Sequence, residues 1–453
     1  MQNNLLKYNH YKPSGVQWLG DIPEHWEVTF VKHLLSIPIT DGPHTTPELL
    51  DEGIPFISAE AIKNGEIDFE KKRGFISLKD HLLFSKKYSP RKGDIYMVKS
   101  GATTGNVAMV KTNNDFSIWS PLAVFRAEAK KITPEYLHLF LQSYTFRKGV
   151  ELSWSFGTQQ NIGMGILSNL PVTYGSIAEQ TVIAQFLDRK TAQIEVAITQ
   201  KQRMIELLKE RRQILIHQAV TRGLNPDVPM KDSGVEWIGE IPEHWEVKRL
   251  RHIGQCQNGV SKGAEYFGSG YPFISYGDVY KNIELPKTVN GLAESSIEDR
   301  KYYSVEEGDV LFTRTSETAE EIGFASTCLS TIENSTFAGF LIRFRPKQGA
   351  LFKGFSKYYF SSKTHRAFFV KEMNLVIRAS LSQELLRKMP ILIPPIKEQI
   401  EIYNYLETAT QKMDKAIGLK EQEIEKLKEY KASLINSVVT GKVKVIENPK
   451  GVA

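Results

Sequence analysis

From Leu187, alternating steps of four and three residues land on Leu187, Thr191, Ile194, Ile198, Lys201, Ile205, Leu208, Arg212, Leu215 and Ala219. A second walk picks out Leu406, Thr410, Met413, Ile417, Lys420, Ile424, Leu427, Lys431, Leu434 and Val438, with its polar interruptions in the same places. An apolar stripe of period 3.5 sustained over more than four heptads predicts two long helices packed in coiled-coil fashion. The ends agree. Ser176-Ile177-Ala178-Glu179 reads as a capping box, Pro394-Pro395 suits a first turn, and Gly223 and Gly441 stand where a left-handed stop would fall. Each helix then has about 45 residues, or roughly 65 Å at 1.5 Å per residue.

Outside the helices the period changes to short apolar strands punctuated by turns. The turn DGPHTTP (41–47) precedes IPFIS (54–58) and then KGDIYMVKSGATTGNVAMV (92–110). Later, NGVSKG (258–263), YPFIS (271–275) and EGDVLFTRTSE (307–317) follow in the same order. In each series a Gly-Asp turn, Gly93-Asp94 or Gly308-Asp309, opens an apolar strand that runs into a loop of Ser, Thr, Lys, Arg or Asn. Loops raised on a sheet are where binding residues concentrate.

The two series belong to an internal duplication. SGVQWLGDIPEHWEV, from Ser14 to Val28, returns as SGVEWIGEIPEHWEV from Ser233 to Val247, an offset of 219 residues. The same offset relates Leu170-Pro171 to Met389-Pro390, Glu179-Gln180 to Glu398-Gln399 and Leu215-Ile216 to Leu434-Ile435. Between these blocks, over residues 30–168 and 249–387, few identities remain. A constant frame with two divergent inserts is the arrangement expected of a protein that recognises two different things at a fixed spacing. One chain that carries both helices can pair them with each other, antiparallel; the alternative is a homodimerising stalk. Lys201 and Lys420, inside the stripe, mark places where a stem snorkels or register is specified.

Composition narrows the class. At 453 residues and 41% hydrophobic, the chain is long enough for about three domains with real cores. Cys256 and Cys328 are its only cysteines, too few for a disulfide framework or a structural zinc site. The opening MQNNLLKYNHYKPSG lacks the apolar run of a signal peptide, and no segment approaches a membrane span, so the expected location is cytoplasmic. A net charge of +6 is compatible with nucleic-acid binding without requiring it.

Enzyme readings find little support. SGATTGN contains Gly101 and Gly105, but Asn106 stands where a phosphate-binding loop needs Gly-Lys-Ser/Thr. The pairs Glu24-His25 and Glu243-His244 suggest acid-base or metal chemistry, yet they lie among Pro and Trp in a repeated block without HExxH. Trp18, Trp26, Trp237 and Trp245 more simply pack that block down. There is no amino-methyltransferase motif and no helicase motif pair, and Pro226-Asp227 lacks a nuclease partner.

Together, the doubled block, the DGPHTTP turn followed by IPFIS, the GDI/GDV strands, the Leu-Pro and Met-Pro segments leading to Glu-Gln helix starts, and the long capped helices resemble the specificity subunit of type I restriction-modification systems. The resemblance covers nearly the whole chain. It implies an α+β protein: two target-recognition α/β domains separated by two long antiparallel coiled-coil helices, with internal pseudo-two-fold duplication. The boundaries are then 1–175 for the N-terminal segment and first domain, 176–222 for the central helix, 223–394 for the second domain, 395–442 for the C-terminal helix and 443–453 for a tail. It also implies no catalytic centre or cofactor in this chain. Double-stranded DNA is the ligand, two modification subunits bind S-adenosylmethionine and methylate adenine, and restriction subunits use ATP and magnesium.

On that reading each insert reads half of a split target, with side-chain donors and acceptors on base edges and cations on phosphates. The candidates in the first are His44, Thr45, Thr46, Lys99, Ser100, Thr103, Thr104, Asn106, Gln159 and Gln160. In the second they are Ser261, Lys262, Thr313, Arg314, Thr315, Ser316, Arg378 and Ser380. All are loop positions, and an ordinary solvated turn is the competing reading for each. The helices act as a ruler for the spacer, and the repeat offers two equivalent surfaces to two identical methylase subunits. A stand-alone two-headed DNA-binding regulator and a coiled-coil protein scaffold are the alternatives.

Overall fold

The computed structural model describes residues 6–153, 161–315, 322–362, 367–369 and 380–445. The chain forms two compact units, Met1–Lys201 with Gln422–Ala453, and Gln202–Glu421. Each therefore takes one divergent insert together with a half of each long helix.

Strand order is the same in both units. In the first, a four-stranded antiparallel sheet runs in the order Thr40–Asp41, Leu122–Phe125, Ile95–Val98, Val107–Met109. In the second, Gly254–Asn258, Leu341–Pro346, Val310–Thr313 and Ala325–Thr327 take those places. A three-stranded sheet lies beside each. Ile54–Ile57 sits between Ser117–Ile118 and Gly74–Ile76, and Phe267–Ile274 between Thr336–Phe337 and Leu292–Ala293. The parallel pairs in these sheets, with Ser117–Ile118 and with Thr336–Phe337, are likewise equivalent. Antiparallel pairing prevails, so α+β describes each unit as well as the whole.

The Gly-Asp turns are explained by their buried carboxylates. Gly93 and Gly308 adopt φ of +91° and +93°, and the following Asp94 and Asp309 are 1% exposed. Asp94 receives Arg126 on both oxygens at 2.7 Å, and Asp309 receives Arg345 at 2.7 and 2.6 Å. Each Asp also accepts a backbone N–H three residues upstream, from Arg91 or Glu306, at 2.8 Å. The turn is thereby tied to the strand beside it. Val310–Thr313 and Ile95–Val98 are buried throughout, which is why they read as continuous apolar runs rather than alternations.

The repeated block closes on the start of each helix. Ser176 Oγ accepts the Glu179 N–H at 3.3 Å, one half of the expected capping box. The other half is replaced: the Glu179 carboxylate accepts from Tyr8 Oη at 2.5 Å and pairs with His25 at 3.0 Å. In the second unit Glu398 meets His244 at 2.7 Å and Trp245 Nε1 at 3.1 Å. Trp26 and Trp245 are fully buried. His25 and His244 thus brace the block against the helix. Next to them, Gln180 and Gln399, fully buried, each accept a backbone N–H of the insert, Thr133 or Phe352, at 2.8 Å. They donate back to Gly175 O and Pro394 O at 2.9 and 2.8 Å. Pro395 precedes the second helix instead of entering its first turn, its carbonyl accepting from Gln399 N at 3.0 Å.

The long helices are Ile177–Arg222 and Ile396–Val439, followed by Gly223 and Gly441 at φ +74° and +72°. Leu187, Ile194, Ile198, Ile424 and Leu434 are buried in the first unit, and Ile205, Leu406 and Ile417 in the second. Leu208, Leu215, Met413 and Leu427 are half-buried. In the first unit Glu195 pairs with Lys431 at 2.7 Å and Lys201 with Glu423, so the helices run antiparallel within one chain. Arg212–Asp414, at 2.8 Å in the second unit, is the 219-residue image of Lys431–Glu195. Lys201–Glu423 has no such image, because Met204 occupies the position equivalent to Glu423.

Candidate nucleic-acid interface

In the first unit one edge of the four-stranded sheet gathers loops from distant parts of the insert. Lys99, just past Ile95–Val98, donates its N–H to Pro121 O at 2.8 Å, and its carbonyl accepts the Ile162 N–H at 2.8 Å. Ser100 bridges to Asn161. The 41–47 turn is held to the same edge by Gly42, where a Cβ would lie 2.1 Å from Ile118 O, so only glycine fits. The Arg73 guanidinium sits over the Trp119 ring, 3.8 Å from its centroid.

The charge at this edge is organised by Asp41, 1% exposed. Its carboxylate meets Lys87 at 2.5 Å, Lys99 at 2.8 Å and His44 at 3.3 Å. Burial pushes the Asp41 carboxyl up, but bonds from Lys87 and Lys99 outweigh it and hold the group below its ordinary value. Beyond the hub, Thr45, Thr46 and Thr103 are exposed. Thr104 Oγ1 donates to Gly101 O at 2.6 Å, and Asn106 Nδ2 donates to Ile62 O at 3.4 Å, so both side chains stiffen the loop. The loop runs from strand to strand rather than into a helix, so it lacks the helix N-terminus a phosphate loop uses.

The second unit presents the same edge with other side chains. Arg314 donates its N–H to Phe340 O at 2.9 Å and accepts from Leu381 N at 2.7 Å, and Thr315 bridges to Ser380. Gly259 lies where a Cβ would be 2.2 Å from Ala338 O. That brings the exposed Ser261 and Lys262, the half-buried Arg314 and Thr315, and Ser380 to one place. Asn258 stands where the first unit has Asp41.

Thr313 is a correction. It belongs to the strand Val310–Thr313, is 0% exposed, and its Oγ1 accepts the Phe324 N–H at 2.9 Å. Pairing with Leu341 extends the strand one residue further than the polar letters TRTS imply. Lys99 and His44 are on the expected edge, held by Asp41. Gln159, Gln160, Ser316 and Arg378 lie outside the described residues. Sequence reasoning missed Lys87, Arg73, Trp119 and Phe340. The available signal for Trp119 and Phe340 was a large aromatic beside a polar or glycine turn just before an apolar strand, in WSPLAVF and GFLIRF.

The fold and its two edges define a class: a duplicated frame that repeats one sheet order and carries one divergent, loop-built edge in each unit. The Type I restriction modification DNA specificity domain matches this chain twice, over residues 23–207 and 242–429. The chain belongs to that family. The starts of the two matches are separated by the same 219 residues as the repeat. Among curated relatives, the Escherichia coli K12 type I restriction enzyme EcoKI specificity subunit is 26% identical over 400 residues, 86% of this chain and 82% of that one. The putative MjaX specificity subunit of Methanocaldococcus jannaschii is 24% identical over 460 residues, covering 94% and 96%. Among solved structures, a chain described with the assembly and conformational transition of a type I R-M system aligns with a TM-score of 0.69 at 14% identity, over 92% of this chain and 98% of that one. The HsdS subunit from Thermoanaerobacter tengcongensis aligns with a TM-score of 0.53 at 16% identity, over 93% and 98%. Among the described residues, no helix is long and apolar enough to cross a membrane.

Proposed function

We propose that this chain is the non-catalytic DNA-reading subunit of a type I restriction-modification complex, its two units each reading one half of a bipartite, asymmetric target. The observation that carries this is the pairing of an invariant backbone with divergent side chains at the two edges. The bonds Lys99 N to Pro121 O and Arg314 N to Phe340 O are equivalent, as are the bridges Ser100–Asn161 and Thr315–Ser380. Yet where the first unit has Asp41, Lys99, Trp119 and Pro121, the second has Asn258, Arg314, Ala338 and Phe340. Two copies of one frame with different donors, acceptors and apolar groups read two different base sequences.

The helices fix the spacer between half-sites, since seven residues of helix correspond to about 10 Å, or about three base pairs. The repeated blocks and helix starts give two equivalent surfaces for two modification subunits, which hold S-adenosylmethionine and methylate adenine. Restriction subunits, with ATP and magnesium, complete the complex. The test is co-expression with the cognate modification subunit. A stable complex whose DNA affinity falls steeply with salt supports the reading, and a chain that binds DNA but no modification subunit supports a stand-alone regulator instead.

A further inference from the structure

Phe340 stands immediately before the strand Leu341–Pro346 and leaves 63% of its surface in water. The backbone beneath it is fixed from both sides. Its carbonyl accepts the Arg314 N–H at 2.9 Å, and the next residue, Leu341, donates its N–H to Ala338 O at 3.0 Å. Gly339 is packed so closely that a Cβ would come within 2.8 Å of Val260 O, with Ser261 Cβ at 3.4 Å. The ring is thus presented from a rigid turn between Ser261 and Arg314. The first unit has the same backbone bond, Lys99 N to Pro121 O at 2.8 Å, but carries a proline there.

A single exposed ring is common on a protein surface; this one is set apart by its place, on the turn whose backbone also fixes Arg314 and packs on Val260 and Ser261. Its neighbours Ser261, Arg314 and Thr315 can answer hydrogen-bonding groups on a base pair, whereas a phenyl ring cannot. The apolar feature that a base pair offers in the major groove is the thymine methyl group. Resting on the function proposed above, we infer that Phe340 contacts the C5 methyl of a thymine in the half-site read by the second unit, making it a specificity-determining residue of that half alone.

The experiment uses the assembled complex and duplexes in which each thymine of the mapped target is replaced in turn by deoxyuridine, which removes one methyl and keeps the pairing groups. Wild type should lose about fourfold in affinity at one position of the second half-site, the effect of one buried methyl group. Phe340→Ala should bind the thymine duplex more weakly, and should no longer distinguish thymine from uracil there. Phe340→Ala should unfold at the wild-type midpoint and co-purify with the modification subunit as wild type does, which guards against misfolding. Phe340→Leu should retain part of the discrimination. Full affinity and discrimination in Phe340→Ala, or indifference of the wild type to every such replacement, overturns the assignment. A wild-type complex with no preference for any bipartite target would instead remove the functional reading on which it rests.

Discussion

Asp41 shows how one residue sets the character of a recognition edge. With its carboxylate shut from water and two lysines on it, replacement by asparagine leaves Lys87 and Lys99 facing each other without a counter-charge. Breaking a fully buried pair costs about 3–5 kcal/mol, but Lys87 is half in solvent, so Asp41→Asn should destabilise the first unit by about 2 kcal/mol. Chemical denaturation followed by a probe in that unit measures this. The pH dependence has a defined sign. The carboxyl is held below its ordinary value of 3.8 when folded, so its contribution is present above that pH and is lost as pH falls through the folded value. Wild type should therefore lose stability in acid more steeply than Asp41→Asn; equal acid slopes would remove the hub from the account. None of this was legible in DGPHTTP, which displays His44 as a solvated turn residue. Asp41 collects Lys87 and Lys99 from 46 and 58 residues away, and sequence has no local signal for such a contact. Thr313 was misplaced for a related reason, because the end of its strand is decided by a partner strand.

Elements were far more legible when their signal was periodic and local. The heptads locate both helices, the glycines at their ends are readable, and the 219-residue register carries Glu179-Gln180 onto Glu398-Gln399. The job of those residues was not readable: Gln180 and Gln399 bolt an insert to a helix through backbone groups that leave no trace in side-chain pattern. Likewise the sheet orders depend on pairings between distant segments of inserts that share few identities. The stripe on the two helices leads to a prediction at this scale. One heptad inserted in each helix at facing positions should lengthen the preferred spacer by about three base pairs while leaving both half-sites unchanged. Selection of methylated sites from a library of spacer lengths reads this out; an unchanged spacer contradicts the role of the helices as a ruler.

At the scale of the whole molecule, duplication and divergence act on different parts. The frame repeats down to individual bonds, such as Arg212–Asp414 and Lys431–Glu195, while the edges differ in charge, hydrogen bonding and aromatic content. A repeated frame with unlike edges suits a target made of two different half-sites. The most direct measurement is methylation mapping: expression of the chain with its modification subunit in a methylation-free host, followed by sequencing for modified adenine. The account predicts one motif of two unlike half-sites at a fixed spacer, with a methylated adenine in each. A stable complex that methylates a single uninterrupted or fully palindromic sequence, or none, would contradict it.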